Sequence, residues 1–113
     1  MGATASRASG DGEMSPKRVA YHDGASRDVK AAVAWYQKRS PKAALDLIGE
    51  LHQAVETIRK APDRWPAGKN NTKRFLLWRF LFSIIYSEQE SVITVWAVAH
   101  GSRRPEYWAP RLK

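Results

Sequence analysis

Cysteine is absent from all 113 residues of this chain. Its absence excludes disulfide bonds, thiol catalysis and cysteine-ligated zinc. No apolar run approaches the ~18–20 residues of a transmembrane helix, so we expect neither a membrane-spanning helix nor a membrane partner. The first eighteen residues also lack the apolar segment of a secretory signal peptide, and we therefore expect a cytoplasmic protein.

Acidic residues are scarce. The chain has 11 Asp and Glu against 19 Lys and Arg, for a formal net charge of +8. No acidic residue occurs between positions 64 and 87, where the basic residues are Arg64, Lys69, Lys73, Arg74 and Arg79. A second basic stretch covers residues 97–113. This charge distribution predicts an anionic partner, either a nucleic acid or an acidic protein segment.

Several motifs of catalysis and ligand binding are missing as well. The sequence contains no glycine-rich phosphate-binding loop and no serine nucleophile in an elbow motif. Its three histidines, His22, His52 and His100, stand apart from any acidic cluster at ligand spacing, so we predict no metal site and no cofactor. His52 lies next to the apolar stripe of a predicted helix, which favours a structural role.

The composition that remains is that of one globular domain, with 43% apolar and 11% aromatic residues. Residues 1–16 are small and polar, and they are predicted to form a disordered tail. Residues 17–113 are predicted to form the folded domain.

Residues 26–61 have the periodicity of an antiparallel helical hairpin. Ser26 is the predicted N-cap of the first helix, which should end at Ser40. Ser40 then caps the second helix, with Pro41 at its first position. Apolar residues spaced four and three apart predict the buried stripe of this second helix: Ala44, Ile48, Leu51, Val55 and Ile58.

Strand-length apolar runs flank the hairpin. Residues 17–22 predict an edge strand, and residues 73–79, 81–87 and 92–99 predict a three-stranded antiparallel β-meander. Two helices between the first and second strands would return the chain to its starting end, so these strands are predicted to be antiparallel. The predicted fold class is α+β: a short N-terminal strand, an antiparallel helical hairpin and the meander.

Both faces of the predicted meander are largely apolar, whereas a sheet with one wet face should alternate apolar and polar residues. The helical hairpin can cover only one face. The other needs either a partner chain or the aromatic residues Tyr107 and Trp108 folded back upon it, and the size of the apolar surface favours a partner.

The last predicted strand runs directly into the sequence HGSRRPEYW, residues 100–108. A histidine at a strand end can act as a general acid or base, although a structural role is commoner for such a residue. Arginine mixed with aromatic residues is typical of surfaces that pair with phosphates and stack on bases, and equally of protein–protein contacts. The pattern leaves both possibilities open.

Three stretches together resemble the RelE/ParE superfamily of type II toxin–antitoxin toxins, also described as plasmid stabilization proteins. The similarity covers roughly residues 17–113 and rests on AAVAWYQKRSPKAALDLIGELHQAVETIRKAPDRWP, KRFLLWRFLFSIIY and VWAVAHGSRRPEYW. The resemblance implies a RelE/ParE-like fold and a small cytoplasmic toxin that inhibits growth. It also implies a hetero-oligomer with a cognate antitoxin that is acidic and partly disordered.

The superfamily contains two functional classes. RelE-like members cleave mRNA in the ribosomal A site without a metal, using Lys, Arg and Tyr or His side chains, whereas ParE-like members bind and poison DNA gyrase. The RelE-like pattern has an arginine three residues before the tyrosine of a strand, and here Ser83 stands at that distance from Tyr86. The resemblance therefore favours the ParE-like, non-enzymatic class, with a ribosome-dependent mRNA endoribonuclease as the alternative.

The two classes predict overlapping sets of site residues. The residues expected to contact a protein target such as gyrase are Arg74, Arg103, Arg104, Tyr107 and Trp108. The residues expected to be catalytic in an endoribonuclease, and to meet at neighbouring strand ends, are Arg79, His100, Arg103 and Tyr107. Neither set calls for a cofactor.

Overall fold

The computed structural model describes residues 17–112, so the predicted tail over residues 1–16 lies outside the described part, as does residue 113. The elements, in chain order, are β1 (Arg18–Tyr21), α1 (Asp23–Arg39), α2 (Pro41–Lys60), β2 (Lys73–Leu76), β3 (Phe82–Gln89) and β4 (Val92–His100). Short 3-10 turns cover Pro62–Arg64, Lys69–Asn71 and Ala109–Leu112. The predicted α+β class and its order of elements are confirmed.

Helix α1 begins at Asp23, so the predicted N-cap at Ser26 is wrong. The N-cap is His22, whose backbone is extended and whose Nδ1 accepts a hydrogen bond of 2.9 Å from the N–H of Gly24. Ser26 already lies in the first turn, because its N–H donates to the carbonyl of His22. The helix start was missed because histidine is not among the residues that usually cap helices.

Helix α2 begins as predicted. The Ser40 hydroxyl accepts a hydrogen bond of 3.1 Å from the N–H of Ala43, and Pro41 occupies the first helical turn. Its buried stripe differs from the prediction, because Leu47 and Ala54 are buried while Ile48 is 45% exposed. The buried face of α2 is therefore rotated, so that Leu47 and Ala54 face the core where Ile48 and Val55 were predicted to do so.

The four strands form one mixed sheet in the order β1-β4-β3-β2. The antiparallel meander β2-β3-β4 is confirmed, but β1 pairs in parallel with β4, with Arg18 opposite Val92. Strands β1 and β2 consequently run in the same direction, and the prediction that they are antiparallel is wrong. The reason is that α1 does not reverse the chain but continues along β4, where Asp28 accepts a hydrogen bond from the N–H of Val98.

The connections within the meander also differ from the prediction. Strand β2 ends at Leu76, and residues 77–81 form a corner that leads into β3. Strand β3 extends to Gln89, so the turn that follows contains only Glu90 and Ser91. Glu90 has a positive φ of 49°, as the first central residue of a tight two-residue hairpin commonly does.

A register shift separates the β3–β4 pairs Ile85↔Ala97 and Tyr86↔Val95. It leaves Trp96 between two paired residues of β4, which is the arrangement of a β-bulge. The bulge changes the alternation of side chains along β4. As a result, Val98 packs in the same core as Val95.

The main core lies between the helical hairpin and one face of the sheet, where Leu47 and Ile58 of α2 belong to the same cluster as Ile84 and Ile93. A second, smaller core lies on the opposite face. There Trp108 packs with Ile85 and Ala97, and Tyr107, Ala109 and Leu112 lie against them. We call residues 107–112 the C-terminal strap. The strap covers the part of the sheet for which a partner chain was favoured, so that preference is wrong at this position.

Candidate functional site

A groove of about 180 Å³ lies on the outer face of the sheet where β4 ends. Arg74, Ser83, Ala99 and His100 line it from the strands, and Gly101 and residues 103–108 line it from the segment that follows β4. Six of the seven predicted site residues line this groove: Arg74, His100, Arg103, Arg104, Tyr107 and Trp108. We call it the cationic groove.

Backbone hydrogen bonds fold residues 100–108 into the wall of this groove. The N–H of Gly101 donates to the carbonyl of Leu81 at 2.7 Å, which ties the end of β4 to the corner before β3. Two turns follow, closed by hydrogen bonds from Arg103 N–H to the His100 carbonyl and from Tyr107 N–H to the Arg104 carbonyl. Arg103 and Arg104 are thereby placed side by side, exposed to solvent.

His100 is held at the end of β4 by two contacts. Its ring lies edge-on to Phe82, with 5.0 Å between the ring centroids. Its Nδ1 accepts a hydrogen bond of 3.0 Å from the N–H of Ser102 and lies 2.7 Å from the hydroxyl of that residue. Because Nδ1 accepts, the neutral ring carries its proton on Nε2. The nitrogen that could accept a substrate proton is therefore already occupied.

Tyr107 is fixed from both sides. Its hydroxyl donates a hydrogen bond of 3.0 Å to the carboxylate of Asp28, and the guanidinium of Arg103 lies 3.7 Å from the centre of its ring. Burial, followed by the negative charge of Asp28, raises the pKa of Tyr107 to about 12. The phenol is therefore protonated near neutral pH and holds Arg103 by a cation–π contact.

Asp28 and Arg111 do not line the groove but support its wall at Tyr107, although neither was predicted to do so. Arg111 donates to the Asp28 carboxylate at 2.9 Å and to the carbonyl of Trp96 at 2.9 Å. The hydrogen bond to Asp28 is the main reason that the pKa of Arg111 is raised above its ordinary value. No signal in the sequence indicated this pair, since nothing in it links two residues so far apart.

Two of the predicted site residues, Trp108 and Arg79, are poorly placed for the contact or catalytic roles expected of them. Trp108 lines the groove but is only 3% exposed, because most of its ring is buried in the second core. Arg79 is not among the residues that line the groove. Its guanidinium lies 3.6 Å from the carboxylate of Asp46 and 3.7 Å from that of Glu50, both on α2. The predicted cluster of Arg79 with His100 is therefore not formed.

Two larger concave surfaces lie on the helical side of the sheet. One, of about 400 Å³, shares His100 and Arg103 with the cationic groove and is otherwise lined mainly by α1. The other, of about 390 Å³, is an apolar groove between the two helices and the sheet, lined by residues that include Tyr21, Val29, Ile48, Leu51 and Val55.

The described residues, 17–112, contain neither a metal-binding cluster nor a membrane-spanning helix. No three acidic or histidine side chains in this part of the chain are grouped closely enough to hold a metal ion. None of its helices combines the length and the apolar character that crossing a bilayer requires.

Comparison with known proteins agrees with this architecture. The family model of the ParE toxin of the type II toxin–antitoxin system, parDE, matches residues 19–105. The chain belongs to the ParE toxin family. The matched region extends from β1 to the turn after β4, so it includes both helices, the whole meander and the three arginines at the groove. The predicted resemblance to the RelE/ParE superfamily is confirmed.

A solved structure has a fold similar to that of this ParE family member. It is described as the chromosomal ParDE TA system from P. aeruginosa, and it superimposes with a TM-score of 0.66 at 16% sequence identity. The alignment covers 74% of this chain and 95% of the other. At that identity the similarity concerns the fold alone. A search of curated proteins gave no match. Membership of the family makes the chain a type II toxin–antitoxin toxin with an antitoxin partner.

Proposed function

We propose that this ParE-family toxin inhibits growth by binding DNA gyrase through the cationic groove, and that a cognate, acidic and partly disordered antitoxin neutralises it in the cytoplasm. The observation that carries the proposal is the chemistry of the groove. It presents the guanidinium groups of Arg74, Arg103 and Arg104, which recognise carboxylates, while its candidate proton-transfer groups are already engaged.

The engaged groups argue for binding rather than RNA cleavage. Cleavage without a metal requires a base that takes the proton of the 2′-hydroxyl. The Tyr107 hydroxyl is protonated and donates to Asp28, and Nδ1 of His100 accepts from Ser102. Arg79, the fourth residue of the endoribonuclease set, is paired with α2 outside the groove. The endoribonuclease alternative therefore has less support.

We place the antitoxin on a different surface, because the cationic groove is proposed to bind the target and the strap covers another part of the same face. The apolar groove between the helices and the sheet is an open concave surface with an apolar lining, and Lys30 stands at its edge. An acidic segment with apolar side chains would bury those side chains in this groove and place its carboxylates near the lysine. We assign the antitoxin to this groove.

The test uses purified toxin in two assays. We expect it to inhibit supercoiling of relaxed plasmid by gyrase and to leave ribosome-bound mRNA intact. The double variant Arg103→Ala/Arg104→Ala should inhibit at least tenfold less strongly, because two charged contacts are lost. A charge-matched control, Lys38→Ala/Lys60→Ala, removes two exposed helical lysines and should inhibit like the wild type. Codon-phased cuts in the mRNA, with supercoiling unaffected, would favour the endoribonuclease instead.

A further inference from the structure

The corner between β2 and β3 exposes three large apolar side chains. Trp78 is 88% exposed, Leu81 is 74% exposed, and Leu76, at the end of β2, is 69% exposed. Exposed tryptophan is costly to keep in water, and tryptophan is also the residue most enriched at the energetic centres of protein–protein contacts. A cluster of this kind on a small basic toxin points to an interaction surface.

The corner is held in one conformation rather than left loose. The carboxylate of Glu50 on α2 accepts hydrogen bonds from the backbone N–H groups of Trp78 and Arg79. The guanidinium of Arg79 lies 3.7 Å from the same carboxylate, an ion-pair distance. Next to them, Leu77 is buried and its N–H donates to the carbonyl of Phe82. Because the backbone of the corner is already ordered in the free toxin, binding does not incur the entropic cost of ordering it.

The corner is continuous with the cationic groove. The carbonyl of Leu81 accepts the hydrogen bond of Gly101, and the residues that follow Gly101 are the arginines of the groove wall. Three apolar side chains therefore adjoin a surface that carries Arg74, Arg103 and Arg104. The arrangement fits a partner that combines an apolar pocket with carboxylates beside it.

We propose that Trp78, with Leu81 beside it, is the anchor by which the toxin binds its target, and that it enters an apolar pocket bordered by acidic groups on a folded protein. The inference rests on the proposed function in one respect, that the target is a protein. A protruding side chain fits a preformed pocket, whereas an extended antitoxin segment fits a groove such as the one between the helices. Glu50 is a positioning residue for this anchor.

The test compares Trp78→Ala and Trp78→Phe with Leu45→Ala, which removes an exposed apolar side chain from α2. Each is induced in cells without antitoxin, and each purified protein is titrated against gyrase supercoiling. We expect Trp78→Ala to need an inhibitory concentration about 10- to 30-fold higher and to lose growth arrest, with an unchanged melting temperature. Trp78→Phe should recover most of the activity, and Leu45→Ala should match the wild type.

Salt dependence separates the anchor from the charged surface around it. Trp78→Ala should leave the salt dependence of inhibition unchanged, whereas Arg104→Ala should reduce it. If the wild type arrests growth without inhibiting gyrase, the proposed target is wrong. The role of Trp78 as the anchor is then tested by growth arrest alone, which Trp78→Ala should lose. Full activity of Trp78→Ala would overturn the inference.

Two further outcomes identify another occupant of the corner and would overturn the inference as well. In the first, Trp78→Ala arrests growth like the wild type but is no longer neutralised by the co-expressed antitoxin, so the corner binds the antitoxin. In the second, sedimentation shows that the wild type self-associates and that Trp78→Ala is a monomer with full activity, so the corner binds a second copy.

Discussion

The carboxylate of Asp28 and the guanidinium of Arg111 form an ion pair of 2.9 Å between residues 83 positions apart in the chain. The same carboxylate oxygen accepts hydrogen bonds from the Tyr107 hydroxyl and from the backbone N–H of Val98. One side chain of α1 thus connects β4 with the strap that covers the outer face of the sheet. Because both charges are largely buried and shielded from water, each is stabilised mainly by the opposite charge of the other.

Replacing Asp28 by Asn should therefore destabilise the protein strongly. The amide keeps the shape of the carboxylate but leaves the Arg111 charge buried without its counter-ion, at a cost of about 3 kcal/mol in the free energy of unfolding. Denaturant unfolding measures this loss. Lys42→Ala breaks an exposed pair with Asp46 and should cost far less stability, because solvent screens that pair. Equal losses in the two variants would contradict the importance of burial.

Two glycine substitutions in helices should have opposite effects. A Cβ at Gly24 would clash with Nε of Arg111, so Gly24→Ala should push the guanidinium away from Asp28 and destabilise the strap. A Cβ at Gly49 meets nothing within 4 Å, so Gly49→Ala should stabilise α2 by up to about 1 kcal/mol through helix propensity. Thermal unfolding measures both changes, and hydrogen exchange should locate the first in residues 105–112. A stabilising Gly24→Ala would refute the close contact.

Tyr107 should contribute to alkaline unfolding. Its pKa is raised from 10.0 to about 12 by burial and by Asp28, so the folded state favours the neutral phenol. The resulting stability is fully present below pH 10 and is lost as the pH rises toward 12. Tyr107→Phe should reduce the decline in the free energy of unfolding over this interval. Tyr86, whose pKa is also raised to about 12 by burial, should account for a second part, which Tyr86→Phe would remove.

Trp108→Ala should impair the toxin by weakening its fold rather than by removing a target contact. Emptying the space of a ring that is only 3% exposed costs about 3–5 kcal/mol. Trp108→Phe should recover part of that stability. Under conditions in which the strap of this variant is folded, its activity should return as well. The comparison is made by denaturant unfolding and growth arrest on the same variants. Lost activity with unchanged stability in Trp108→Ala would instead indicate a contact residue.

The sequence was most informative where neighbouring residues decide the structure. The Ser40-Pro41 pair indicated both the end of α1 and the start of α2, because capping and the missing proline N–H act within one turn. The direction of β1 was not accessible in this way. It depends on α1 continuing along β4, and that path is decided by packing between distant parts of the chain.

The candidate site shows the same division. Arginines and aromatic residues close together in sequence indicated the wall of the groove, and Arg74 of β2 lines the groove with them. Arg79 was predicted to join the same cluster, but it pairs with Asp46 and Glu50 of α2. A count of charges along the sequence does not show which distant acidic residues a basic residue will meet. The bulge at Trp96 was equally hidden, since a one-residue irregularity leaves no mark on an alternating apolar pattern.

The parallel pairing of β1 with β4 has a consequence for the order in which the toxin can be completed. Strand β1 is made first but neighbours only β4 in the sheet, so it has no strand to pair with until β4 has been synthesised. The Asp28–Arg111 pair likewise waits for the strap. A growing polypeptide that stops before β4 therefore lacks both the pairing partner of β1 and most of the residues that line the cationic groove.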